Sequence, residues 1–161
     1  MHLLSEVQSS RAHFVETRHS SMLKKPLVVS GLLVYRRPDR LEKHVQAPFT
    51  ESITIEGSRV TVARGGAHAE RVIALPAGGT AHALIESLRA TLAGDLGALE
   101  RHFAVAVAGT RGAWSMSLTP REATLPVVRV EFAGKDSRIQ RIEVLESGGD
   151  RTVTTIDDEV R

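Results

Sequence analysis

In Gly31-Leu32-Leu33-Val34-Tyr35-Arg36-Arg37-Pro38, an apolar segment runs directly into an Arg-Pro step, and Pro48 follows ten residues later. The pattern predicts one strand over 27–36 and a second over 40–47, since proline is tolerated at strand ends but not inside a ladder. Strands joined by so short a turn pair as antiparallel neighbours. This part of the chain is therefore predicted to begin an antiparallel sheet.

Alternation of polar and apolar residues predicts further strands on both sides of this stretch. Residues 52–55 and 59–62 alternate around a turn at Glu56-Gly57 and predict a hairpin. The other predicted strands cover 12–19, 72–75, 104–108, 114–119, 128–132, 139–145 and 151–156. We expect about ten strands, most of them joined by short turns.

Helical spacing is concentrated in one segment after the first group of strands. Thr80 is a good N-cap, apolar residues recur over 81–93, and Gly94 ends the pattern. Asp95 is suited to cap a further short turn through Glu100. Residues 2–10 are predicted to form a short first helix.

A sheet of this size is expected to curl, and the helices bury their apolar stripe on its concave face. The predicted fold is mainly β (α+β), an open half-barrel roofed by a helical lid, with residues 1–161 forming a single domain. The chain has four Phe, one Tyr and one Trp to fill the interior. Short aliphatic side chains and few aromatic ones favour an apolar pocket between lid and sheet.

Composition argues against several function classes. The 21 basic and 19 acidic residues are interspersed, which is not the dense basic stripe of a nucleic-acid binder. Without cysteine, thiolate metal sites and disulfides are excluded, and the seven histidines show no metal-ligand spacing. No nucleophile elbow or phosphate loop is found. We therefore predict no catalytic residue, no metal and no cofactor.

No segment reaches the roughly 20 apolar residues of a membrane span, and no signal peptide is visible. If the protein is exported, we expect the signal to have been removed from this chain. Membrane contact is then expected to be transient.

The chain resembles the periplasmic lipoprotein carriers of the LolA family at five positions: Gly31, Leu33, Arg37, Pro38 and Pro48. The resemblance implies an open β-barrel with a helical lid over an apolar cavity that carries lipoprotein acyl chains through the periplasm. It also implies an inner-membrane exporter and an outer-membrane acceptor as partners. The family arginine bonds lid carbonyls and keeps the empty carrier closed, and Arg37 matches it.

The chain departs from the family at two neighbouring positions. Lys43 stands where tryptophan is usual, and Leu41 replaces a common phenylalanine. The cargo is therefore left open between a lipoprotein and a related lipid.

The candidate ligand cavity combines apolar residues of the Arg-Pro strand pair, the helix and the strand that contains Trp114. Its predicted members are Leu33, Tyr35, Leu41, Leu84, Ile85, Leu88, Leu92, Trp114, Met116 and Leu118. The same residues also suit ordinary core packing. Two alternative functions remain: a protein-binding or sensor module of the cell envelope, and an enzyme that uses Glu16 and Arg18 inside the cavity.

Overall fold

The computed structural model describes residues 7–65, 70–74, 80–122 and 126–159. The helix predicted over residues 2–10 is wrong at its end, because Ser9 and Ser10 belong to the strand β1. Residues 2–6 of that prediction lie outside the described range. The described strands are β1 (Ser9–His19), β2 (Leu27–Arg36), β3 (Arg40–Ala47), β4 (Glu51–Glu56), β5 (Arg59–Arg64), β6 (Glu70–Ala74), β7 (Phe103–Thr110), β8 (Ala113–Pro120), β9 (Val127–Lys135), β10 (Arg138–Glu146) and β11 (Arg151–Glu159).

These eleven strands form one antiparallel sheet in the order β6-β5-β4-β3-β2-β1-β11-β10-β9-β8-β7. The pairing of β1 with β11 joins the two ends of the chain, with Phe14 opposite Ile156. Among the described strands, β6 and β7 are the edges, so the sheet is open. The prediction of an open antiparallel sheet covered by helices is confirmed, with one strand more than the expected ten.

The turns form where the sequence supplies the required backbone freedom. Gly57 adopts a φ of 60° at the turn of the β4–β5 hairpin, a conformation that favours glycine. Gly31 meets a different requirement, because a Cβ there would overlap the backbone carbonyl of His44 on β3. The close approach of β2 and β3 thus depends on the absence of a side chain at this position.

Two helices are described, α1 (Thr80–Ala93) and α2 (Leu96–His102). The α1 helix ends before Gly94, whose φ is 72°, as the sequence predicts. The Asp95 carboxylate accepts a hydrogen bond of 3.0 Å from the Ala98 amide, which confirms the predicted cap of α2. Among the described residues, no helix has the length and apolarity needed to cross a membrane.

The main core lies on the side of the sheet formed by β7–β10. We call this cluster the C-terminal core; its buried members are Ala90, Leu99, Phe103, Met116, Leu118, Val127, Val130 and Phe132. A smaller cluster joins Phe14, Val29 and Val45 on the first three strands. The face of the sheet that carries both clusters is called the inner face below.

Candidate ligand pocket and the arginine beside it

An apolar pocket of about 110 Å³ lies between α1 and the inner face of the sheet. Most of its wall is aliphatic, contributed by Ala12, Leu33, Leu41, Leu88, Leu92, Ile139, Ile142 and Ile156. Val7, Ser10, Ser137, Arg138 and Asp157 complete the lining. The helix and strands from both ends of the chain therefore enclose one apolar space.

Strand register explains why the sheet side of the pocket is aliphatic. Leu33 is paired with Ala12 on one side and with Lys43 on the other. Lys43 therefore shares the inner face with Leu33, its partner across the strands. Side chains two residues apart on one strand also share a face, so Leu41 on β3 lies on the inner face too. Ala12 is small, and the space that a larger side chain would fill stays open beneath α1.

Arg37 connects the end of β2 to α1 and to the segment before β1. Its Nη2 donates a hydrogen bond of 3.3 Å to the carbonyl of Ala93, the last residue of α1. Its Nε donates one of 2.7 Å to the carbonyl of Val7. Carbonyls at a helix C-terminus lack partners within the helix and carry partial negative charge, so a guanidinium group satisfies them well.

Tyr35 lies on the inner face two residues from Leu33, and only 3% of it is exposed. Its hydroxyl has no hydrogen-bond partner among the described residues. Burial raises the pKa of the phenol above its ordinary value of 10.0, and the positive charge of Arg37 lowers it in part. A buried hydroxyl without a partner costs stability, so this position is not optimised for packing.

The structure brings four of the predicted cavity residues together around the pocket: Leu33, Leu41, Leu88 and Leu92. Tyr35 and Ile85 are described but do not line it. The side chain of Leu84 lies outside the described part of the structure.

The other three predicted cavity residues lie elsewhere. Met116 and Leu118 are buried members of the C-terminal core, and Trp114 packs against it. The Trp114 ring occupies the space above Gly134, where a Cβ would overlap it, and its Nε1 donates to the Asp136 carbonyl at 3.0 Å. Phe103 and Phe132 fill this side of the sheet, so these residues pack against neighbours and do not face the pocket.

Sequence reasoning missed three isoleucines that line the pocket: Ile139, Ile142 and Ile156. Their strands are predicted correctly, and alternation places Ile142 and Val144 on one face. What the sequence lacks is the pairing of β11 with β1, which brings Ile156 beside Phe14 and next to the pocket. Local periodicity contains no information about that long-range pairing.

A polar cluster adjoins the pocket on the inner face. The Nζ of Lys43 donates a hydrogen bond of 2.7 Å to the Oε2 of Glu16. The hydroxyl of Thr154 donates to the same oxygen at 3.3 Å. Lys43 also lies over Phe14, with 5.4 Å between Nζ and the ring centroid. Glu16 thus points inward as the enzyme alternative requires, but its partner is Lys43, and Arg18 is exposed.

Comparison with known families shows the family to which the chain belongs. The family described as "Outer membrane lipoprotein carrier protein LolA-like" matches residues 1–159. The match covers nearly the whole chain, so this chain belongs to that family, and the resemblance stated from the sequence is confirmed.

Solved structures with a similar chain include a LolA superfamily protein from Nitrosomonas europaea, at 10% identity and a TM-score of 0.49, covering 99% of this chain and 91% of that one. A structure of the CwlD amidase from Clostridioides difficile in complex with the GerS lipoprotein matches at 15% identity and a TM-score of 0.43, covering 98% and 85%. A structure of MucB in complex with MucA matches at 15% identity and a TM-score of 0.39, covering 98% of this chain and 53% of that one. No curated protein matches the sequence.

Proposed function

We propose that this protein is a non-enzymatic carrier that binds the acyl chains of a lipoprotein or a related lipid beneath α1. The observation that supports it best is the aliphatic pocket between α1 and the inner face, with Arg37 bonded to the end of that helix. Each CH₂ group costs about 0.8 kcal/mol in water relative to an apolar site, so a fourteen-carbon chain costs about 11 kcal/mol. A carrier must remove that cost.

The pocket is too small for a complete acyl chain in the described conformation. Its volume is about 110 Å³, whereas pockets for small ligands span roughly 300–1,000 Å³. Binding therefore requires α1 to move away from the sheet. Arg37 bonds the last carbonyl of α1, and water can replace that bond when the helix moves. In this proposal Arg37 is the latch of the empty carrier.

Family membership supports the wider setting of the proposal. The carrier would work in the periplasm, receive its cargo from an inner-membrane exporter and deliver it toward an outer-membrane acceptor. It would touch membranes only transiently and use no cofactor. We propose that residues 1–161 act as one domain in this cycle.

Binding of a fluorescent fatty-acyl probe tests the proposal. We expect the probe to bind at micromolar concentration and a lipopeptide to displace it, because both would occupy the pocket beneath α1. Displacement by the same peptide without its lipid is not expected. Absence of probe binding at micromolar concentration would contradict the carrier function.

Replacement of Arg37 by leucine tests the latch. Loss of the charged hydrogen bonds to Ala93 and Val7 removes about 1.5–3 kcal/mol from the closed position of α1. Amide hydrogen exchange over residues 85–93 should accelerate, and the affinity for the acyl probe should change. Arg36→Leu is the matched control, because Arg36 is the exposed last residue of β2 and directly precedes Arg37. Equal exchange rates in the two variants would exclude the latch.

A second candidate is a protein-binding module of the cell envelope. It is favoured by β7, a sheet edge of eight residues without a charged side chain, with Val107 57% exposed. Native sheets usually protect such edges with charges or proline. A module of this kind would bind a protein or peptide partner and fail to take up the acyl probe, so the same binding assay separates the two functions.

A further inference from the structure

We propose that Glu16 and Lys43, together with Thr154, bind the head group of a zwitterionic lipid whose tail occupies the pocket. The inference rests on the proposed carrier function and specifies its ligand. We call these three residues the inner polar cluster. It is separate from the latch in position, because its residues lie within β1, β3 and β11, whereas Arg37 follows the last residue of β2.

The cluster lies directly beside the pocket. Lys43 is the register partner of Leu33, a pocket residue, and it is two residues from Leu41, which also lines the pocket. On β11, Thr154 is two residues from Ile156, another pocket residue. A ligand with its tail against the leucines would therefore bring its polar end within reach of the cluster.

The cluster spans four neighbouring strands in the order β3, β2, β1 and β11. Lys43 pairs with Leu33 on β2, and Glu16 pairs with Val29, so the side chain of Lys43 crosses β2 at the position between them. That position is Gly31, which has no side chain. Because no side chain stands in the way at that position, the Lys43 ammonium group reaches Glu16 across β2.

The ion pair is partly withdrawn from water, with 14% of the Glu16 side chain and 28% of the Lys43 side chain exposed. A partly buried charge that loses its partner is expensive, which makes the pair selective about what it accepts. An anionic head that captures Lys43 would leave Glu16 uncompensated. A cationic head that captures Glu16 would leave Lys43 uncompensated.

A zwitterionic head satisfies both charges at once. Its phosphate accepts hydrogen bonds from Lys43, and its ammonium group pairs with Glu16, so four charges alternate and none is left alone. The remaining donors of the Lys43 ammonium group, which has three, are available for this exchange. Phosphocholine and phosphoethanolamine heads have this chemistry.

Four dodecyl amphiphiles with the same tail and different heads test the proposal on the wild-type protein. Dodecylphosphocholine, dodecyl sulfate, dodecyltrimethylammonium and dodecyl maltoside are titrated below their micelle concentrations against the bound acyl probe. We expect dodecylphosphocholine to displace the probe about tenfold more tightly than each of the others. Phosphocholine without a tail should displace it far more weakly, which separates a lipid from a soluble zwitterion.

The double variant Glu16→Gln with Lys43→Met should lose this preference while retaining binding of the dodecyl tail. Its matched control is Arg141→Met with Glu143→Gln, an ion pair of the same 2.7 Å length on β10, where Glu143 is 15% exposed. Register places Arg141 opposite Ala133 on the other face of the sheet, so the control should keep the preference.

The outcomes separate the two proposals. If none of the four amphiphiles binds, both the carrier function and the head-group site are overturned. If all four bind equally to the wild type, the carrier function stands and the head-group site is overturned. A preference that persists in the folded double variant also overturns the head-group site. The wild-type series decides the question if the double variant fails to fold.

Discussion

The two sides of the inner face differ in how completely they are filled. Around β7–β9, the C-terminal core buries Leu99, Phe103, Met116, Leu118 and Phe132 to 2% exposure or less. Around β1–β3 and β11, a smaller cluster is buried, but Leu33 and Ile156 beside it are only partly buried and a pocket remains beneath α1. One sheet thus contains a packed core and an incompletely filled space that share α1.

The difference shows how the chain can combine stability with a binding site. Large side chains in the C-terminal core supply apolar burial in proportion to their area. The other side holds the partly buried ion pair of Glu16 and Lys43, and the buried hydroxyl of Tyr35, which has no partner among the residues that the structure describes. Both groups stabilise a core less than apolar side chains do. We infer that packing on one side permits an imperfect interior on the other.

Replacing a leucine by phenylalanine in the C-terminal core and at the pocket should give the largest expected difference in stability. Leu118→Phe should lower the free energy of unfolding by about 1–3 kcal/mol, because Leu118 is fully buried and extra volume overpacks the core. Leu33→Phe should cost little stability, since its ring can enter the pocket, but it should weaken binding of the acyl probe. Denaturant unfolding and probe titration measure both effects. Equal destabilisation by the two variants would mean that the two sides are packed alike.

Tyr35→Phe sharpens the comparison at one atom. Removing a buried hydroxyl that has no partner in the described part of the chain should raise the free energy of unfolding by about 1 kcal/mol. The raised pKa of Tyr35 adds a pH dependence: the folded protein keeps this proton while the unfolded chain loses it, so stability falls as pH rises above about 10. The variant should lack this contribution. A loss of stability at neutral pH would show that the hydroxyl does have a partner.

Glu42 provides the smallest effect. It lies between Leu41 and Lys43 on β3, so it is on the face of the sheet opposite the inner face, which is called the outer face here. Its hydrogen bond with His44, and then that with Arg40, lowers the pKa of the carboxyl below 4.5. Stability from this group is present above pH 4.5 and is lost as pH falls through the lowered pKa. Glu42→Gln should flatten the acid side of the stability profile by about 0.2–1 kcal/mol, because its partners Arg40 and His44 are each more than one third exposed and water weakens the pairs.

Binding of the acyl probe is the control for the Glu42 variant, and it should be unchanged at neutral pH. A marked loss of binding would show that a residue of the outer face affects the pocket. It would contradict the view that only the inner face takes part in binding.

The sequence predicted the elements of this protein well because the signals for them are local. Prolines lie just outside the ends of β2 and β3 as expected, Gly57 forms the turn of the β4–β5 hairpin, and Asp95 caps α2. The same local alternation places Lys43 between Leu41 and Val45 on one face of β3. Its pairing with Glu16 could be seen only across β2.

By itself, the sequence determined the antiparallel meander, the helix over the sheet and the family, because strand periodicity, turn residues and the Arg-Pro step act over a few neighbouring residues. Only the tertiary structure decided which apolar residues border the pocket and which fill the C-terminal core. Leu33 and Leu118 are equally suited to either role, and the difference arises from the partners that β1–β11 pairing and the placement of α1 bring to each. Those partners are distant along the chain, so no local pattern specifies them.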